Sequence, residues 1–252
     1  FKAATGDLIQ FMDSDDLASL NKLEVQSSAI VAGDAEMAFG PWLHIHWGKG
    51  IETRPTEVLQ TEHPGGQFSL LEWHLRGWAL VLQNCLFRHS FLEKIGPQKT
   101  DLLGTEDWEF FNRIFLANPR AVFTPECLTL YRLHEGGKLS GSGTSAKKKA
   151  IELAKAARYI NLNLKNDPPS ISSSTIRSMR YRFWGIERAS GGQVLETPLS
   201  FLEHASFQGT AILDRLKQGL ARRLFRHSWP SFYHPCRPNS THLKMMADAG
   251  II

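Results

Sequence analysis

The chain has 252 residues, 42% of them hydrophobic and 21% charged, with a formal net charge of +4. That length and balance suit one large or two modest globular domains and exclude a disordered chain or a disulfide-stapled miniprotein. The mild basic surplus suits anionic ligands without calling for nucleic acid, and no run of about 18 apolar residues marks a membrane span.

The chain opens at Phe1-Lys2-Ala3-Ala4-Thr5-Gly6 with no signal peptide, and this start reads like the middle of a domain. The apolar run at residues 7–12 ends in acids, as a buried strand does when it carries a site at its C-terminal end. From Leu17 to about Val31 apolar residues recur near helical spacing, and the pattern closes on Gly33. Residues 35–52 are strand-like and hold Trp42, Trp47 and a Gly-Lys-Gly turn at 48–50; a loop with Pro55 and Pro64-Gly65-Gly66 follows.

A helix is predicted over 68–82, with Gly77 an unfavourable residue inside it, then a short strand at 85–87 and a short helix at 91–95 stopped by Gly96-Pro97. Another helix is expected from Glu106 to Ala117, ended by Asn118-Pro119, and then strands at 120–124 and 127–133. The Gly- and Ser-rich stretch around 135–143 reads as a junction, with the domain boundary near residue 140. Beyond it come helices at 145–163, 173–188, 209–226 and 241–248.

The first chemical signal is Asp13-Ser14-Asp15-Asp16. Three acids in four positions repel one another unless a cation neutralises them, and strand-end carboxylates suit Mg²⁺ or Mn²⁺ bridging to phosphates. An EF-hand loop is excluded, because its fifth and sixth positions would be Leu17 and Ala18, where an oxygen ligand and a glycine are needed. The plain structural alternative is that one of these residues caps the next helix, but capping does not need three acids. The second signal is Glu106-Asp107-Trp108 after Thr105. Taken alone, Thr105 reads as an N-cap with acids in the first helical turn; beside a diphosphate site, a carboxylate there suits a general base.

Together these motifs resemble family-2 glycosyltransferases. The run Gly6-Asp7-x-Ile9-x-Phe11-x-Asp13-x-Asp15-Asp16, followed by Lys22-Leu23-Glu24-x-Gln26, is similar to the family's acidic strand end and helix. Phe91-Leu92-Glu93-Lys94-Ile95-Gly96 resembles its acceptor-side segment, Glu106-Asp107 through Arg113 its "E-D" helix, and Tyr131-Arg132-x-His134 its closing strand. The resemblance implies an α/β fold: a partial GT-A (Rossmann-like) mixed sheet with flanking helices over 1–140, plus a mainly helical region over 141–252. It implies an inverting transferase that moves a sugar from a nucleotide-diphosphate donor, with Mg²⁺ or Mn²⁺, in polysaccharide biosynthesis.

By the same resemblance Asp13 lies near the ribose and Asp15 on the metal, with Asp13 and His134 as further metal contacts. Asp16 supports them, Arg132 neutralises phosphate, and Asp107, with Glu106 beside it, deprotonates the acceptor hydroxyl. The family's nucleotide-base-binding segment would precede residue 1, so this stretch alone is expected to bind nucleotide sugar poorly and to be inactive.

The acceptor class stays open between saccharide, lipid-linked and protein. Trp42, Trp47 and Trp73 are candidates for an acceptor groove or for plain core, and His44 and His46 share one strand face. Two other readings stand beside the transferase: a non-catalytic GT-A-like module binding saccharide or protein, and a sugar-phosphate nucleotidyltransferase. The three cysteines, Cys85, Cys127 and Cys236, lack metal-site spacing and read as reduced thiols in a cytoplasmic protein. The basic amphipathic helix at 209–226, with Trp229, Phe232 and Tyr233 trailing it, fits docking on the catalytic domain; its alternative is peripheral contact at the inner membrane face through 209–233.

Overall fold

The computed structural model describes residues 3–46, 54–58, 63–64, 66–133, 146–167, 169–191 and 240–248. Two small mixed sheets frame the acidic turn. The first has the order β1 (Leu8–Ile9), β6 (Cys85–Arg88), β3 (Met37–Phe39), β7 (Ala121–Phe123); β6 runs antiparallel to both neighbours and β7 parallel to β3. The second has the order β2 (Leu17–Ala18), β8 (Thr129–Leu133), β4 (Trp42–His46), β5 (Arg54–Val58), with β8 parallel to β4. All three residues of β3 are buried, as expected of a strand covered on both faces.

Helix α1 spans Lys22–Ala32, and Asn21 precedes it. The sequence pattern carried this helix back to Leu17, but Leu17 and Ala18 pair with Leu130 and Thr129 as a strand. None of Ser14, Asp15 and Asp16 therefore caps it, and the capping alternative for the acids is overturned by the intervening β2. Strand β1 is shorter than the predicted 7–12 run. Helix α2 (Leu70–Leu75) is also shorter than expected. It starts with a reciprocal capping box between Ser69 and Glu72, and Gly77 follows its end at φ +112, where a side chain would strain the backbone.

Helices α3 (His89–Ile95) and α4 (Glu106–Leu116) match their predicted positions. Thr105 does not cap α4 as expected. Its hydroxyl donates instead to the Glu152 carbonyl on α5 (Ala146–Asn166), so a tertiary contact has replaced the local one. Helix α6 (Ser173–Ser190) packs on α5, and α7 (Ser240–Asp248) is the last described element. The junction at 135–143 and the predicted 209–226 helix lie outside the described residues.

The main core joins the first sheet to five helices, with Phe91 and Leu92 contributed by α3. Phe39 and Phe87 from the sheet meet Trp73 of α2, Phe110, Phe111 and Phe115 of α4, Ile160 of α5 and Phe183 of α6. Trp42 and Trp73 are themselves buried, so the two described candidates for an acceptor groove are largely core. A smaller cluster of Leu43, Ile45, Leu128 and Leu130 packs Met246 of α7 against the second sheet. Cys85 and Cys127 are free, buried thiols, and burial pushes both above the ordinary thiol range. No helix among the described residues is long and apolar enough to cross a membrane.

Candidate active site

The acids follow the end of β1 in a tight turn closed by the Asp16 amide donating to the Asp13 carbonyl at 3.1 Å. This turn separates their roles. Asp16 is buried, and its Oδ1 accepts the Arg132 backbone amide at 2.9 Å, while the Arg132 guanidinium donates through Nε to the Asp15 carbonyl. β8 thus ties down the back of the turn. Asp15 is half-buried and Asp13 exposed, with Asp13 Oδ2 accepting from the Gln83 amide. Gln83 is itself buried, and its carbonyl accepts from both Gln10 (3.1 Å) and Thr129 (3.2 Å).

Below the turn, Lys22 and Gln26 anchor α1. Lys22 is buried and donates to Gln10 and to Gln26 (2.8 Å), whose amide reaches the Asn84 carbonyl at 2.9 Å. Burial lowers the Lys22 ammonium to about 8. Asn84 closes the network on the Gly40 carbonyl at 2.9 Å. A Cβ at Gly40 would stand 2.9 Å from the Thr124 carbonyl, so only glycine allows this approach. The Lys22-x-x-x-Gln26 pattern therefore fixes the strand end that precedes the acids.

Helix α4 supplies the facing acids. Asp107 is half-buried, and its carboxyl is pushed up to about 7 by burial first, then by Glu106 and Asp13. One opposing influence is the Gln98 amide, which donates to Asp107 Oδ1 at 2.9 Å. Glu106 Oε2 is buried with no hydrogen-bond partner. Thus Asp13, Asp107 and Glu106, separated by more than ninety positions in sequence, are brought into one electrostatic neighbourhood. The trio is costly to ionise together, and that cost marks functional sites more often than scaffold.

Behind Asp107, Glu109 is fully buried and forms a two-pronged pair with Arg113, at 2.8 and 2.9 Å. Sequence reasoning placed Arg113 in a pattern without giving it a task, and passed over Gln83 and Gln98 entirely. Among the described residues no three His, Cys, Asp or Glu side chains are grouped to hold a metal ion. The hard oxygens of Asp13 and Asp15 still fit Mg²⁺ or Mn²⁺, which usually take one or two carboxylates and complete their shell with water and substrate phosphates. His134 lies outside the described residues, as do Trp47 and the side chain of His46.

The mixed sheets with flanking helices match the GT-A fold of the solved structures that the chain resembles. The model of glycosyl transferase family 2 matches residues 1–96. No curated protein matches the chain. Among solved structures, the chain is similar to S. aureus TarS 1–349 in complex with UDP-GlcNAc, with a TM-score of 0.54 and 15% identity over 91% of this chain and 59% of that one. The same S. aureus protein with UDP gives 0.51 and 15%, covering 91% of this chain and 58% of that one. The chain therefore spans about three-fifths of the structures it resembles, and at this identity the likeness establishes the fold.

Proposed function

We propose that the chain carries the catalytic acids of an inverting, metal-dependent glycosyltransferase that moves a sugar from a nucleotide-diphosphate donor to an acceptor hydroxyl. The observation that carries this reading is the place of Asp107 on the first turn of α4, held by Gln98 through Oδ1 at 2.9 Å and close enough to Glu106 and Asp13 for their charges, with burial, to raise its carboxyl to about 7. A base with that affinity for protons is half-ionised near neutrality and can take a proton from an attacking hydroxyl. The complexes of TarS with UDP-GlcNAc and UDP support a nucleotide-sugar donor for a chain of the same fold.

In this reading Asp107 accepts the acceptor proton while the hydroxyl oxygen bonds to the anomeric carbon and the donor diphosphate departs from the opposite face. A single in-line displacement inverts that carbon. Asp13 and Asp15 would hold Mg²⁺ or Mn²⁺, with His134 as the further ligand the resemblance implies. The ion, when bound, would offset the charge that develops on the diphosphate. Arg132, whose guanidinium lies against the turn, adds positive charge on the same side. Glu106 keeps the carboxyl of Asp107 basic.

The test is Asp107→Asn in the full-length protein, with sugar transfer and donor binding measured in parallel. Transfer should fall by about 10²–10⁴-fold, the usual worth of a general base, with donor affinity held within a few-fold. A parallel loss of binding and transfer would refute the assignment. Wild-type protein that binds the donor and never transfers would favour a binding module instead.

A further inference from the structure

We infer that Gln98 is a positioning residue that fixes the Asp107 carboxylate in its reactive orientation, and that the Glu109–Arg113 pair holds Gln98 in place. The inference rests on the reading of Asp107 as the base.

Gln98 lies in the segment between α3 and α4, close to the base in sequence yet outside its helix. Its Nε2 donates to Asp107 Oδ1 at 2.9 Å. A carboxylate on the first turn of a helix can rotate about its terminal torsion, which is broad and soft. A donor on Oδ1 removes that freedom and leaves Oδ2 to receive the proton. Because amide nitrogen donates and never accepts, the contact favours the charged, basic form of the carboxyl.

Such a contact orients the base only if the segment carrying it is itself fixed, and Arg113 fixes it. Its Nη1 donates to the carbonyls of Ile95 (2.6 Å) and Gly96 (3.3 Å), and its Nη2 to that of Pro97 (2.9 Å). Three successive carbonyls before Gln98 are thus gripped by one side chain. Gly96 makes this possible by turning the chain at φ +78 after α3, a conformation costly for any residue with a Cβ. The same guanidinium forks onto both oxygens of buried Glu109, and Asn163 of α5 donates to Glu109 Oε1 at 3.1 Å. Glu109 and Arg113 stand on the helix that carries Asp107. The base and the residue orienting it are therefore referenced to one rigid element, as a base needing sub-ångström placement requires.

The experiment compares Gln98→Met, Gln98→Glu and Asp107→Asn with wild type in the full-length protein, reading kcat, donor KM and Tm. Methionine keeps the length and packing of glutamine without the donor, and glutamate replaces the donor with an acceptor. Gln98→Met should lower kcat about tenfold, as loss of one hydrogen bond to a charged group would, with donor KM within about twofold and Tm unchanged. Gln98→Glu should fall at least as far, because two carboxylates would face each other. Wild-type kcat in Gln98→Met overturns the positioning role, and so does a joint change of kcat, KM and Tm, which would mean Gln98 is only structural. In either case an inactive Asp107→Asn leaves the base assignment standing, whereas an active Asp107→Asn removes the base itself.

Discussion

Ionising a carboxyl away from water and beside two others is unfavourable, and Asp107 is in that position. Two consequences follow for pH. For catalysis, the ionised form is the base, so transfer should decline as pH falls through about 7, and the acidic limb of the kcat/KM profile should lie there rather than near the ordinary value of 3.8. For stability the sign is opposite. A carboxyl whose folded pKa is raised favours the folded state when protonated. That contribution is full below 3.8 and is lost as pH rises through about 7. Asp107→Asn mimics the protonated form, so its Tm should exceed wild type at pH 8 and match it near pH 3. Melting curves across that range check this; a lower Tm at pH 8 would show that the carboxylate is satisfied in the fold. The same residue was legible in the sequence because its neighbours Glu106 and Arg113 form a local pattern. Gln83 and Gln98 were not, since glutamine carries no spacing signal and Gln83 meets Asp13 across 70 positions.

At the scale of elements, α4 organises the site. Its first turn presents Glu106 and Asp107 at the helix N-terminus, where the backbone dipole favours acids, and buries Glu109 of the same turn under Arg113 of the next. A buried pair broken on one side leaves an unpaired charge, which costs about 3–5 kcal/mol. Arg113→Met should therefore lower the urea midpoint substantially and release the segment before Gln98. Glu109→Gln with Arg113→Met, removing both charges, should recover part of that loss. If the double variant is no more stable than the single, Glu109 has another partner that carries its charge. The start of α1 teaches the complementary lesson. Apolar spacing alone extended it to Leu17, but β8 offered Leu17 and Ala18 strand hydrogen bonds, and sheet pairing took precedence over helical periodicity. The acids were thereby freed from capping and held in a turn instead.

Across the whole molecule, α5 and α6, which follow residue 140, are built into the same core as α4 and the first sheet. Sequence showed their amphipathic pattern but not their destination, because a hydrophobic stripe does not specify which surface will cover it. The structure puts Phe183 of α6 edge-on to Trp108 at 5.9 Å between ring centroids, and Arg182 over the Trp108 ring at 4.4 Å. Trp108 is the residue after the proposed base, and its carbonyl is hydrogen-bonded to buried His74 of α2 at 3.0 Å. Burial lowers the His74 imidazole to about 3, so it stays neutral at any working pH and serves as packing with a fixed polar contact. Phe183→Ala would leave a cavity behind the first turn of α4, at a cost of about 3–5 kcal/mol. Because α4, α5 and α6 share one core, thermal unfolding should remain a single transition, shifted downward, with kcat falling at temperatures where the variant is still folded. Two separate transitions would mean that the helices stand as an independent unit. An unchanged kcat would mean that α4 holds the base in place without support from α6.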